Sequence, residues 1–128
     1  MKQDKLMETG LTYTSRLTVT EDKTAIAMGS GDMPVLATPA MLALMENAAM
    51  LAVAPHLPEG STTVGGHIES SHLRPTPVGE EVTATATLER VDGRKLFFHV
   101  EARQGELLLG EGTHLRFVVD RGKFMGKL

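Results

Sequence analysis

The chain has 128 residues, with 13 Lys and Arg against 16 Asp and Glu, a formal net charge of −3, and no cysteine. That length fits one domain spanning 1–128 with a sizeable core, and the lack of thiols excludes disulfide scaffolds, cysteine nucleophiles and thiolate-bound zinc. The mild negative charge offers no basic field for nucleic acid, and four Phe, one Tyr and no Trp leave few platforms for stacking bases.

The opening MKQDKLMETG is polar and lacks the apolar core of a secretion signal. No apolar run approaches the roughly 18–20 residues of a membrane span, so a cytoplasmic protein without membrane contact is expected. LTYTSRLTVT (11–20) alternates and is rich in Thr, which suits a strand. TAIAM (24–28) reads as extended after the turn at EDK, and GSGDMP (29–34) as a glycine-rich approach to a helix. The stretch ATPAMLALMENAAMLAVAP (37–55) predicts that helix. Thr38 suits the cap, Pro39 the first turn, and Pro55 the end.

This helix is apolar on nearly every side, as expected where a curved sheet grips it. Glu46 and Asn47 interrupt it. Glu46 neighbours Leu42, Ala43, Ala49 and Met50 on the helical wheel, and an unpaired carboxylate there would cost several kcal/mol. It requires a polar partner, a watered interface or an active site; a solvent-facing strip shared with Asn47 is the plain alternative.

The rest of the chain reads as sheet. VGGHIESSHLR (64–74) is extended, its two glycines suggesting a bulge. His67, Glu69 and Ser71 share one face of it, and Ile68, Ser70, His72 and Arg74 the other. Because His72 points away from His67 and Glu69, no metal site is expected. EVTATATLERV (81–91) and KLFFHVEAR (95–103) place Val82, Ala84, Ala86, Leu88, Leu96, Phe98, Val100 and Ala102 on a core face. Asp92-Gly93 and Gln104-Gly105 mark hairpins, and ELLLGEGTHLRFVVD (106–120) is a last long strand. His99 and His114 are expected at a surface or interface, His56 at the helix end facing the dipole, and Arg121, Lys123 and Lys127 on a solvated tail. One helix and about five strands make an α+β plan in which the sheet wraps the helix.

These residues carry a resemblance. ATPAMLALMENAA, LPEGSTTVGGHIESSHLRPTPVG, EGTHLRFVV and the final KF resemble the hotdog-fold thioesterases, specifically the fluoroacetyl-CoA thioesterase family, from about Thr14 to Phe124. The resemblance implies a long central helix wrapped by an antiparallel sheet, an acyl-CoA substrate with no separate cofactor, and a homodimer, with a dimer of dimers left open. It also implies catalytic roles for Thr38, Glu46 and His72, an acyl-pocket glycine at Gly65 and a pocket arginine at Arg116. Capping alone would account for Thr38, an interface position for His72 and an edge salt bridge for Arg116.

Thr38 and Glu46 lie about 12 Å apart along a helix, so an imidazole must bridge them or the residues must come from two subunits. His72 is expected as general base toward water or Thr38, with Glu46 orienting it or attacking the acyl carbon. Backbone N–H groups near Gly65 and Gly66 suit the oxyanion. Met33, Leu36 and Met41 suit a compact apolar acyl group, and Arg74, Arg94 and Lys95 the CoA phosphates. GSGDMPVL lacks the aromatic residue that covers the acyl group in the fluoroacetyl-specific enzyme, so a small or short-chain acyl-CoA is the expected substrate. A hotdog hydratase or dehydratase, or a non-catalytic acyl-CoA-binding module, are the alternatives.

Overall fold

The structure, a computed structural model, describes residues 7–128. The segment MKQDKL, part of the opening read above, lies outside the described residues. Strand β1 (Thr12–Thr18) is followed by a 3-10 turn (Glu21–Lys23), a one-turn helix α1 (Ala25–Met28) and the long helix α2 (Thr38–Val53). A 3-10 turn (Ala54–His56) leads into β2 (Ser61–Ser70), β3 (Glu81–Asp92), β4 (Lys95–Gln104) and β5 (Leu107–Asp120), and a short α3 (Arg121–Gly126) ends the chain. The five strands form one antiparallel sheet in the order β1-β3-β4-β5-β2. Among the described residues no helix is long and apolar enough to cross a membrane.

Alternation decides which face of the sheet meets the helix. Val82, Ala84, Ala86 and Leu88 of β3 and Leu96, Phe98, Val100 and Ala102 of β4 are buried against α2, which contributes Met41, Leu44, Met45, Ala48, Ala49, Ala52 and Val53. The alanines on both sides let the curled sheet come close to the helix. Threonines face outward, and the Thr12–Thr87 and Thr14–Thr85 hydroxyls bond across β1 and β3 at 3.2 and 2.8 Å. Both hairpins turn at a glycine of positive φ, Gly93 at 62° and Gly105 at 60°, where a side chain would be strained.

Two local readings are corrected. Thr24 is extended, but residues 25–28 are helical: the Thr24 hydroxyl accepts from the Ala27 N–H at 3.2 Å, and Gly29 closes the turn in the left-handed region at φ 75°. A cap at each end outweighs the short apolar alternation. Likewise, Ala37 rather than Thr38 is the N-cap of α2, and no side chain caps it. The Thr38 hydroxyl is spent elsewhere.

The entry to α2 is clamped by backbone bonds. Ala25 N–H donates to Val35 O at 2.8 Å, Leu36 N–H to Thr76 O at 2.9 Å, and Ala37 N–H to Lys23 O at 2.9 Å. Thr38 therefore emerges from a fixed frame. On the other side, β2 stops at Ser70, but Ser71 and Leu73 continue to donate to Glu111 O and Leu109 O at 3.1 and 2.6 Å. That run carries His72 toward the start of the helix.

Candidate active site

Two side-chain groups lie along α2. At its first turn, Thr38 Oγ1 is 2.7 Å from His72 Nδ1. His72 Nε2 is buried without a hydrogen-bond partner among the described residues. Burial pushes the imidazole below its ordinary pKa, opposed by the backbone at Arg74, so the ring is held in its neutral, proton-accepting form. A cavity of about 280 Å³ opens here, lined by Leu36, Thr38, His72 and Arg74 among others.

The second group forms where Glu46, two helical turns on, faces β2 and β5. Its Oε2 lies 3.8 Å from Arg116 Nη1 and 3.9 Å from His114 Nε2, and its side chain is 43% exposed. Neither distance is a hydrogen bond. Among the described residues no side chain hydrogen-bonds to the Glu46 carboxylate, in contrast to Glu101, whose Oε2 accepts from Arg103 Nε at 2.8 Å. Arg116 and His114 are buried, at 7% and 2% exposure. Arg116 Nε donates to Thr63 Oγ1 at 2.8 Å, Nη2 to Thr63 O at 3.0 Å, and Nη1 contacts His114 Nε2 at 3.1 Å. Burial lowers the His114 pKa, reinforced by the Arg116 charge and opposed by the His67 carbonyl and Glu46.

Gly65 completes this group. A Cβ built on it would stand 2.7 Å from Glu46 Oε2 and 3.7 Å from Arg116 Nη1, so the backbone of β2 passes directly beside the carboxylate. The β2–β5 register shifts between Gly65 and His67, the bulge that the paired glycines suggest. A side chain at Gly66 would overlap the Phe117 ring.

Other candidates fall where the fold puts them. Leu36 borders the Thr38–His72 cavity, Met41 is fully buried in the core, and Met33 is 61% exposed on the loop before α2. Glu46 and Asn47 both reach solvent, but toward opposite flanks of the sheet: Ser15 Oγ of β1 donates to Asn47 Oδ1 at 2.6 Å. His114 is not at a surface either. It sits on the inward face of β5, which no local pattern in a mixed strand reveals. His67 pairs with Glu69 at 3.0 Å. His99, Glu101 and Glu111 meet on the outer face of the sheet, where Arg103 holds Glu101 and the group forms a surface charge network. Arg94 lines a separate cavity of about 270 Å³ with His56 and Asp120, beyond the far end of α2.

Within one protomer, no hydrogen bond or ion pair among the described residues joins Glu46 to Thr38 or His72. The sequence expectation of an imidazole bridging the two is therefore not what the isolated chain shows; they belong to two separate groups along α2.

A helix gripped by a curled antiparallel sheet is the hotdog fold, and this chain is a hotdog-fold thioester hydrolase. Residues 19–122 match the family described as fluoroacetyl-CoA-specific thioesterase. The fluoroacetyl-CoA thioesterase of Streptantibioticus cattleyicolor is 43% identical over 94 residues, covering 73% of this chain and 68% of that protein. A mutant of the fluoroacetyl-CoA-specific thioesterase, crystallised with fluoroacetate and CoA, is similar with a TM-score of 0.86 and 36% identity over 92% of this chain and 99% of the other. A hot-dog-like protein from Thermanaerovibrio acidaminovorans has a TM-score of 0.88 and 25% identity over 99% of this chain and 94% of its own. The chain belongs to the fluoroacetyl-CoA-specific thioesterase family.

Proposed function

We propose that the chain hydrolyses small acyl-CoA thioesters to the free acid and CoA, with Glu46, His72 and Thr38 as its working residues. The observation that carries this reading is the Glu46 carboxylate, half-exposed and without a hydrogen-bond donor, beside a buried cation and a side-chain-free stretch of backbone. A carboxylate held this way is free to attack the acyl carbon. The carbonyl electrons move to oxygen, the tetrahedral adduct expels the CoA thiolate, and an acyl-Glu46 anhydride remains. His72 then takes a proton from water, which hydrolyses the anhydride and restores the carboxylate. Thr38 fixes the imidazole through its 2.7 Å contact. Backbone N–H groups at Gly65 and Gly66 suit the oxyanion, Leu36 supports a compact acyl pocket, and Arg74 lines the same cavity, where it suits a CoA phosphate.

The two half-sites, about 12 Å apart along α2, are best combined across a two-fold homodimer. Gly65, Gly66 and His67 are exposed on β2, an edge of the sheet that a second copy can continue. His72 of one protomer would then face Glu46 of its partner. No aromatic residue stands in the loop 29–36, so the proposed substrate is a small acyl group in general rather than fluoroacetyl alone.

Thiol release from short acyl-CoA thioesters tests the assignment: Glu46→Gln and His72→Ala are each expected to lower turnover at least about tenfold. Mixing the two inactive proteins after dissociation tests the shared site. Hetero-dimers would carry one intact site, recovering about a quarter of the normal activity. Full turnover in folded Glu46→Gln overturns the carboxylate's role; no recovery on mixing overturns the shared site.

A further inference from the structure

Resting on the role of Glu46 given above, we infer that His114 is a positioning residue that holds Arg116 back from Glu46 and so keeps the carboxylate free to react. The hydrogen bonds around His114 fix its chemistry. Nδ1 lies 2.7 Å from the carbonyl of His67; a carbonyl only accepts, so Nδ1 carries the proton. Nε2 lies 3.1 Å from Arg116 Nη1; a guanidinium only donates, so Nε2 presents its lone pair. The ring is thus the neutral Nδ1–H form. A second proton would set N–H against N–H and cation against cation.

This imidazole governs where the arginine stands. Nε and Nη2 of Arg116 are committed to Thr63, and Nη1 is the corner that faces both His114 Nε2 and Glu46 Oε2. Charge-assisted N–H···O bonds close to about 2.7–2.9 Å when nothing prevents it. Here the Nη1–Oε2 distance is 3.8 Å while the Nη1–Nε2 contact is 3.1 Å. The histidine takes the hydrogen bond that the carboxylate would otherwise receive. Arg116 can then stabilise negative charge near Glu46 by its field without covering the attacking oxygen. His114 is itself braced by the bulge, because the shift between Gly65 and His67 brings the His67 carbonyl to it. On its other side it packs against Phe98, with ring centroids 6.2 Å apart.

The test compares His114→Phe, which keeps the ring's bulk but removes donor and acceptor, with His114→Gln, whose amide retains one of each. His114→Phe is expected to lower kcat about tenfold with KM within about twofold, and His114→Gln to recover most of it. In a Glu46→Gln background His114→Phe should cost little further, since no carboxylate is left to capture. Unchanged kcat in His114→Phe, or an equal loss with and without Glu46, overturns the inference. Glu46→Gln alone separates the failures: full turnover in that variant overturns the underlying assignment, whatever His114 does. If His114→Phe does not fold, imidazole ¹⁵N NMR of the unaltered protein decides. The neutral Nδ1–H form should be the one seen at pH 7, and an Nε2–H or doubly protonated ring at that pH overturns it.

Discussion

At the scale of single residues, the site depends on what is left out as much as on what is present. Gly65 has no side chain where one would stand 2.7 Å from Glu46 Oε2. The obstacle is the end of a flexible side chain, so the fold can absorb a methyl group while the carboxylate cannot keep its place. Gly65→Ala is therefore expected to fold with a melting temperature near that of the parent and to lose turnover about tenfold. Thiol-release kinetics beside a thermal melt checks this; full activity would show that the carboxylate does not act from the position seen. Glu46 could be singled out in the sequence because it breaks an apolar helix, and His72 because a strand polar on both faces resists burial. Arg116 and His114 carry no such mark. Their burial follows from contacts with Thr63 and His67, each 47 or 53 residues away.

At the scale of elements, the decisive feature is how closely the end of β2 lies over β5. A Cβ on Gly112 would overlap the Glu69 carbonyl and the Ser70 backbone, and one on Gly110 the Ser71 carbonyl. These obstacles are backbone, so neither can swing aside. Because Ser71 and Leu73 bond to the same stretch of β5 and His72 lies between them, the two glycines set the height at which the imidazole meets Thr38. Gly112→Ala is expected to destabilise the fold by about 1–3 kcal/mol and to lower activity of the remaining folded protein by moving His72. Denaturant titration and turnover per folded molecule read the two effects separately; a stability within about 0.5 kcal/mol of the parent would contradict the close crossing. The strands themselves were legible, since alternation and Asp92-Gly93 are local. The one-turn helix at 25–28 was not, because its four apolar residues fit either period and only the Thr24 cap and Gly29 decide.

At the scale of the whole molecule, two imidazoles, buried His114 and half-buried His72, tie stability to pH. Burial lowers the pKa of both His72 and His114 from the ordinary value of 6.5. The unfolded chain therefore binds more protons than the folded one just below that value, and stability rises with pH. The contribution is fully present above about pH 6.5 and is lost as the pH falls toward the lowered folded values. Glu101, held below 4.5 chiefly by its hydrogen bond to Arg103, gives up its own contribution only in more acid solution. The melting temperature is thus expected to fall between pH 7.5 and 5.5, and to fall less in His114→Gln; a flat profile over that range would contradict the lowered pKa of the two rings.

The sequence by itself determined the periodicities, the apolar helix bounded by Pro39 and Pro55, the hairpins and the presence of a carboxylate that plain burial could not tolerate. Those are set by contacts a few residues apart, through propensity, turn chemistry and alternation. The tertiary structure alone decided the partners. It directed Thr38 away from capping and toward His72, sent Asn47 to Ser15, and placed His114 between a bulged strand and Arg116 so that Glu46 stays open. Such choices depend on how a curled sheet closes around the helix, because only closure brings residues distant in sequence to within hydrogen-bonding range.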